Sequence, residues 1–179
     1  EFNKVSISYS PKIFQRYGLF AGNDADRLEN LNFCFENINK TTIALGCRGG
    51  YGSPRILDKI NYNNLKTNKK DIKIMGYSDL TALLIAINQI TQIKTFYGYM
   101  LLSDFSAPVK PEQLTILKKI IYNEQIIYTK KMRILKTGVN KINDALSIAG
   151  CLSLLTTLIG TKYFKQYKKR YFLDKEKRW

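Results

Sequence analysis

DIKIMGYSDLTALLIAI, Asp71 to Ile87, is the stretch whose reading decides the fold. Ile72, Ile74 and Met75 make an apolar run of strand length that stops at Gly76-Tyr77-Ser78-Asp79. From Leu80 to Ile87 apolar residues continue at helical spacing. The pattern is strand, sharp turn, helix, with Ser78 at the apex. Such a turn lifts a hydroxyl out of the carboxyl edge of a sheet and points the first N–H groups of a helix at whatever it attacks. A nucleophile elbow has this form, although G-x-S-x-G would need glycine at position 80 and finds Leu80. The competing reading is a plain turn in which Ser78 or Asp79 caps the helix.

Composition narrows the setting. The 179 residues hold 45% hydrophobic and 12% aromatic side chains, the make-up of a folded protein with one full core. No apolar run reaches the roughly 20 residues of a membrane span, and no signal peptide opens the chain. Cys34, Cys47 and Cys151 are odd in number and lack metal-ligand spacing, as expected of reduced thiols in the cytosol. The formal charge is +15, from 29 Lys+Arg against 14 Asp+Glu, with a pI near 9.7. That charge permits nucleic-acid binding. However, the basic residues are scattered, mostly Lys, and accompany abundant Asn, Ile and Tyr, a bias that A/T-rich codons explain. Histidine is absent.

Outward from the elbow, strands and helices alternate. Lys4 to Tyr9 alternates apolar and polar residues and reads as a strand. Asn23-Asp24-Ala25-Asp26 supplies caps for a helix along Arg27 to Phe35, with Leu28, Leu31 and Phe35 on one face. Thr41 to Leu45 reads as a buried strand. It ends in the glycine loop Gly46-Cys47-Arg48-Gly49-Gly50-Tyr51-Gly52, after which Ser53 as N-cap and Pro54 open a helix. Thr95 to Met100 is a further strand. Spacings of this kind predict an α/β fold with a mostly parallel sheet covered by helices on both faces. The character changes at Pro108 to Pro111. We therefore expect an N-terminal α/β domain over 1–110, a linker over 111–135 and the start of a second domain over 136–179. Within these, Gln113 to Tyr122 reads as an amphipathic helix and Ile126 to Leu135 as a strand or linker. Ala145 to Gly160 reads as a turn followed by a buried helix, Cys151 to Ile159, ended by Gly160.

In a parallel sheet the glycine loop and the serine elbow emerge at the same carboxyl edge, where such folds place their sites. Glycines let backbone N–H groups approach a ligand unobstructed. One of these, with the N–H of Asp79, would form an oxyanion hole for attack on an amide carbonyl. A phosphate-binding loop or a plain tight turn is the alternative. G-x-x-x-x-G-K-[ST] is absent, which weakens the nucleotide reading.

Several motifs occur in a telling order: Tyr17-Gly18-Leu19-Phe20-Ala21-Gly22, Arg27-Leu28-Glu29-Asn30-Leu31, Arg48-Gly49-Gly50-Tyr51-Gly52 with Arg55-Ile56-Leu57, and Gly76-Tyr77-Ser78-Asp79-Leu80-Thr81-Ala82-Leu83. Thr95-Phe96-Tyr97-Gly98-Tyr99-Met100 and Gly150-Cys151-Leu152-Ser153-Leu154-Leu155 with Leu158-Ile159-Gly160-Thr161 extend the series. The chain resembles the LD-carboxypeptidases, the serine peptidases known as muramoyltetrapeptide carboxypeptidases. The resemblance implies a cytoplasmic enzyme of peptidoglycan recycling that removes the terminal D-alanine from a murein tetrapeptide. It implies Ser78 as nucleophile, the backbone N–H groups of Gly50 and Asp79 as oxyanion hole, and Arg48, Gly49 and Tyr51 as substrate-binding loop. A homodimer is implied, with no metal and no cofactor.

The chain also departs from the family pattern. The family has a strand and helix ahead of the segment matching Lys4 to Tyr9, and this chain lacks both. Its triad glutamate ends a later strand, and neither Asp174 nor Glu176 falls in register with it. The family histidine would lie beyond Trp179. A serine hydroxyl needs a base within hydrogen-bond reach, so we expect the chain alone to be nearly inactive, and marginally stable with an exposed sheet edge. Beside this reading stand hydrolysis of a peptide–nucleotide conjugate, a non-catalytic module binding murein peptide or a protein partner, and a basic nucleic-acid binder.

Overall fold

The computed structural model describes residues 6–39, 42–68, 72–126, 147–164 and 171–174. The strand expected over Lys4 to Tyr9 is not formed where the chain is described. Ser6 to Tyr9 are irregular, with Ile7 and Tyr9 exposed to 61% and 53%. Alternation alone does not make a strand, because its backbone groups also need a ladder partner. Lys4 and Val5 lie outside the described residues.

Helix α1 (Asp24–Asn37) starts at a reciprocal capping box. The Asn23 side chain accepts from the Asp26 N–H at 2.9 Å, and the Asp26 carboxylate accepts from the Asn23 N–H at 3.1 Å. Phe35 is buried, and Leu28 and Leu31 pack against the core, the face that the spacing predicts. Strand β1 (Ile43–Leu45) leads into the glycine loop. Next come α2 (Ser53–Ile56), a 3-10 turn over Leu57–Lys59, and α3 (Tyr62–Asn68). The expected cap at Ser53 is corrected: Gly52, at φ 103, holds the N-cap position and Ser53 is the first helical residue.

Strand β2 (Lys73–Gly76) is buried along its whole length and, among the described residues, takes the centre of a three-stranded parallel sheet. Ile43–Leu45 pairs with Lys73–Met75 on one side. On the other side Ile74–Gly76 pairs with β3 (Thr95–Tyr97). Ile74 joins the main core, whereas Met75 packs beside Gly98. A strand buried on both faces reads as a continuous apolar run, as Ile72 to Met75 does but for Lys73. Between β2 and β3 the chain makes a 3-10 turn over Ser78–Leu80 and then α4 (Thr81–Thr91). Seven consecutive residues of α4, Thr81 to Ile87, are buried, so the helix is apolar on nearly every side and sits within the core.

Helices α5 (Leu101–Phe105) and α6 (Pro111–Ile121) follow, α6 matching the amphipathic helix expected there. Strand β4 (Ser147–Gly150) replaces the turn expected ahead of the apolar helix. Its partner is the parallel strand β5 (Tyr171–Asp174), with Gly150 opposite Asp174. That partner lies too far along the chain for any local window to reveal. The helix itself, α7 (Leu152–Leu158), is amphipathic and not wholly buried: Leu155 and Leu158 are inside while Leu152 is 45% exposed. Gly160, at φ 82, ends it as expected. Ile148, Leu155, Leu158 and Tyr163 share one hydrophobic cluster with Ile74, Leu84 and Ile87. Ile126 to Leu135, read as strand or linker, lies almost wholly outside the described residues, as does Glu176.

Candidate active site

The site is built where β1 and β2 end. The Gly46 N–H donates to the Met75 carbonyl at 2.9 Å and the Gly98 N–H to the Gly76 carbonyl at 3.1 Å, so the ladder runs up to the elbow. Ser78 then turns into the left-handed region, with φ 56. A non-glycine residue there carries strain that surrounding structure must hold, and such residues cluster at functional sites. The capping alternative is excluded: neither Ser78 nor Asp79 makes a side-chain cap to α4. Leu80 stands where the usual elbow has its second glycine. A Cβ added to Gly46 or Gly76 would lie 2.3 or 2.6 Å from Leu80 Cδ1. The leucine thus occupies the space that those two glycines leave.

The glycine loop lies against the serine, as the parallel topology predicts. A Cβ on Gly49 would sit 3.3 Å from both Cβ and Oγ of Ser78, so glycine there keeps the hydroxyl uncovered. Gly50, at φ 155, and Gly52, at φ 103, give the loop its path. The carbonyls of Gly46 and Cys47 accept from the N–H groups of Leu101 and Leu102, each at 2.8 Å, and fix the start of the loop. Its far end is fixed by Asp79, whose Oδ2 accepts from the Ser53 N–H at 3.0 Å and the Ser53 hydroxyl at 2.7 Å. The Ser53 side chain, read from sequence as a cap, is spent on the elbow. Of the residues expected at the site, Ser78, Asp79 and Gly49 are brought together. Gly50 follows in the loop, while Arg48 and Tyr51 carry exposed side chains.

Sequence reading missed two partners. The Tyr97 hydroxyl, at the end of β3, accepts from the Ser78 N–H at 3.3 Å. The register placing Tyr97 opposite Gly76 brings it there. An aromatic residue closing the strand beside the elbow is the signal that could have found it. The second is an ion cluster behind the loop. Asp24 accepts from Arg27, and from Arg55 through two bonds of 3.1 and 3.2 Å. Both guanidinium groups lie over the Phe20 ring, at 5.3 and 5.1 Å from its centroid. The Arg55 and Arg27 guanidinium groups hold the Asp24 carboxyl at about 2, below its ordinary 3.8. Arg27 also donates to the Tyr51 carbonyl at 3.4 Å, and its guanidinium fills the space beside Gly52 that a side chain would need. Surface clefts of about 600 and 490 Å3 lie elsewhere and include no residue of the elbow or glycine loop.

A parallel α/β sheet carrying a strained serine under a glycine loop defines the class, and the comparisons define the family. Residues 2–98 match the LD-carboxypeptidase N-terminal domain, and the chain belongs to the LD-carboxypeptidase family. A Bacillus subtilis protein described as "Probable murein peptide carboxypeptidase" is 32% identical over 160 residues, covering 89% of this chain and 49% of that protein. Among solved structures, the muramoyltetrapeptide carboxypeptidase of Oxalobacter formigenes shares the fold with a TM-score of 0.66 at 22% identity, covering 89% of this chain and 53% of the other. The microcin C7 self-immunity protein bound to aspartyl sulfamoyl adenosine is similar with a TM-score of 0.65 at 22% identity, over 86% of this chain and 53% of the other. The chain thus spans about half the length of these relatives.

Proposed function

We propose that this chain carries the nucleophile and oxyanion hole of a cytoplasmic serine carboxypeptidase that releases the terminal D-alanine of murein tetrapeptide during peptidoglycan recycling. The observation that carries the reading is Ser78 itself, held at φ 56 beyond a buried strand with Gly49 against its hydroxyl. In the proposed reaction Ser78 Oγ passes its proton to a base and bonds to the carbonyl carbon before D-alanine. The backbone N–H groups of Gly50 and Asp79 receive the charge that grows on the carbonyl oxygen. The base returns that proton to the nitrogen, D-alanine leaves as the amine, and water then hydrolyses the ester to restore the Ser78 hydroxyl. Arg48 and Tyr51, exposed on the loop, would meet the peptide chain.

The base is the missing part, because the 179 residues contain no histidine. Losing the base of a serine triad costs about six orders of magnitude in kcat. These residues alone are therefore proposed to turn over substrate hardly at all. The test is fluorophosphonate labelling read by peptide mass spectrometry, with and without millimolar imidazole as a replacement base. Labelling selective for Ser78 that rises with imidazole is the expected result. Labelling no faster at Ser78 than at other serines would overturn the nucleophile. Rapid labelling without imidazole would overturn the missing base. Similarity to the microcin self-immunity protein supports a peptide–nucleotide conjugate as the second substrate class, and competition by each ligand against the fluorophosphonate separates the two.

A further inference from the structure

The glycine loop has a mechanical problem. Three glycines in the five residues Arg48 to Gly52 remove steric preference, so the loop does not hold one path by itself. Tethers at Gly46 and Cys47 secure only its beginning. At the other end Arg27 reaches the Tyr51 carbonyl at a long 3.4 Å, and the closer tether is Ser53, three residues after Gly50, whose anchor is the Asp79 carboxylate one residue after Ser78. Both bonds from Ser53, at 3.0 and 2.7 Å, reach the same oxygen of that carboxylate. Hydrogen bonds to an ionised acceptor are about twice as strong as neutral ones. The Ser53 residue is 6% exposed, which shields its pair of bonds from competing water.

We propose that Ser53 and Asp79 are positioning residues that set the two oxyanion donors at one distance from each other. Asp79 supplies one donor from its own main chain, and its side chain holds the segment that carries the other. Loop and elbow are thereby tied through a single residue, independently of how strongly substrate binds. This inference rests on the reading of Ser78 and its oxyanion hole given above, and it adds a role for two side chains that the reading leaves unused.

The test works without a catalytic base. Replacing Ser78→Cys gives a thiol that ionises with a pKa of about 8.5 unaided. Its reaction with p-nitrophenyl acetate passes through an oxyanion, whereas its reaction with iodoacetamide is displacement at a saturated carbon and forms none. The measured quantity is the ratio of acylation to alkylation rates at position 78, mapped by mass spectrometry, with Cys47 as internal standard. In Ser78→Cys the ratio is expected to exceed that of Cys47. Adding Ser53→Ala is expected to lower it at least about tenfold, by misplacing a donor whose outright removal costs about 10²–10³. Ser53→Thr, which keeps the hydroxyl, restores the ratio. Protection of the buried Cys151 from iodoacetamide reports that each variant remains folded. Should Ser53→Ala expose Cys151, Asp79→Asn, which keeps shape and withdraws charge, gives the same two-way answer. An unchanged ratio in a folded variant overturns the positioning role and leaves the oxyanion hole standing. A ratio at position 78 no higher than that of Cys47 before any further change overturns the oxyanion hole, and the positioning role with it.

Discussion

Ser78 holds a left-handed backbone at φ 56, with the Tyr97 hydroxyl on its N–H and Gly49 against its side chain. A residue with a Cβ pays about 1–2 kcal/mol for that conformation, and glycine does not. Ser78→Ala keeps the strain and deletes the hydroxyl; Ser78→Gly deletes both. We expect Ser78→Gly to be more stable than Ser78→Ala by about 1 kcal/mol in urea unfolding. This reverses the ordinary ranking of the two residues within a regular element. Equal stabilities would mean that the elbow relaxes when its hydroxyl is removed. The serine's identity was legible from Gly76-Tyr77-Ser78-Asp79, whereas the φ angle was not, because no single residue type other than glycine announces it. Ser53 shows the converse: its type marks a helix start, but Gly52 holds the N-cap position expected of it, and its bond goes to Asp79 and not to its own helix.

Among the described elements, α4 packs against β2, β3, α2, α3 and α7. Its first residue, Thr81, is fully buried and accepts the Cys151 N–H through Oγ1 at 3.1 Å. That bond joins the start of α4 to the junction of β4 and α7. Thr81→Val preserves the shape and removes the buried acceptor that the Cys151 N–H uses. The expected cost is about 1–3 kcal/mol, measured as a lower midpoint of chemical unfolding at unchanged slope. No loss would show that a water reaches Cys151. Gly150 supports the same junction: a Cβ there would lie 2.6 Å from Thr81 Cγ2 and 2.9 Å from Leu155 Cδ1. The apolar run from Leu80 predicted a helix, and the capping residues predicted α1. By contrast, the pairing of β4 with β5 left no mark in either segment, because parallel strands need no local turn to announce their neighbour.

Across the whole molecule, charge and acid response are linked to the site through Asp24. Its two arginine partners keep the folded carboxyl at about 2 against an ordinary value of 3.8. The sign follows from the direction: a depressed folded pKa means the unfolded chain binds the proton more readily. The stabilisation is complete above about 3.8 and is lost as pH falls through about 2. Asp24→Asn is therefore expected to lower stability near neutral pH and to flatten the acid limb between those values. A variant whose acid limb matches that of the parent would show that the arginines satisfy themselves elsewhere. The formal charge of +15 makes the remaining carboxylates scarce and gives each pairing of this kind more to neutralise.

Local chemistry let the sequence by itself determine the strand–serine–helix unit, the capped α1, the glycine loop and the family motifs. Each of these is fixed by residues within one or two turns of chain, through steric preference, capping or apolar period. Only the tertiary structure decided which partners those units find. Asp79 takes Ser53 from 26 residues away, Ser78 takes Tyr97 from 19, and Thr81 takes Cys151 from 70. Many hydroxyls and carboxylates along the chain were equally able to make such bonds. The choice among them falls to sheet register and the packing around α4, which settle only when distant segments share one core.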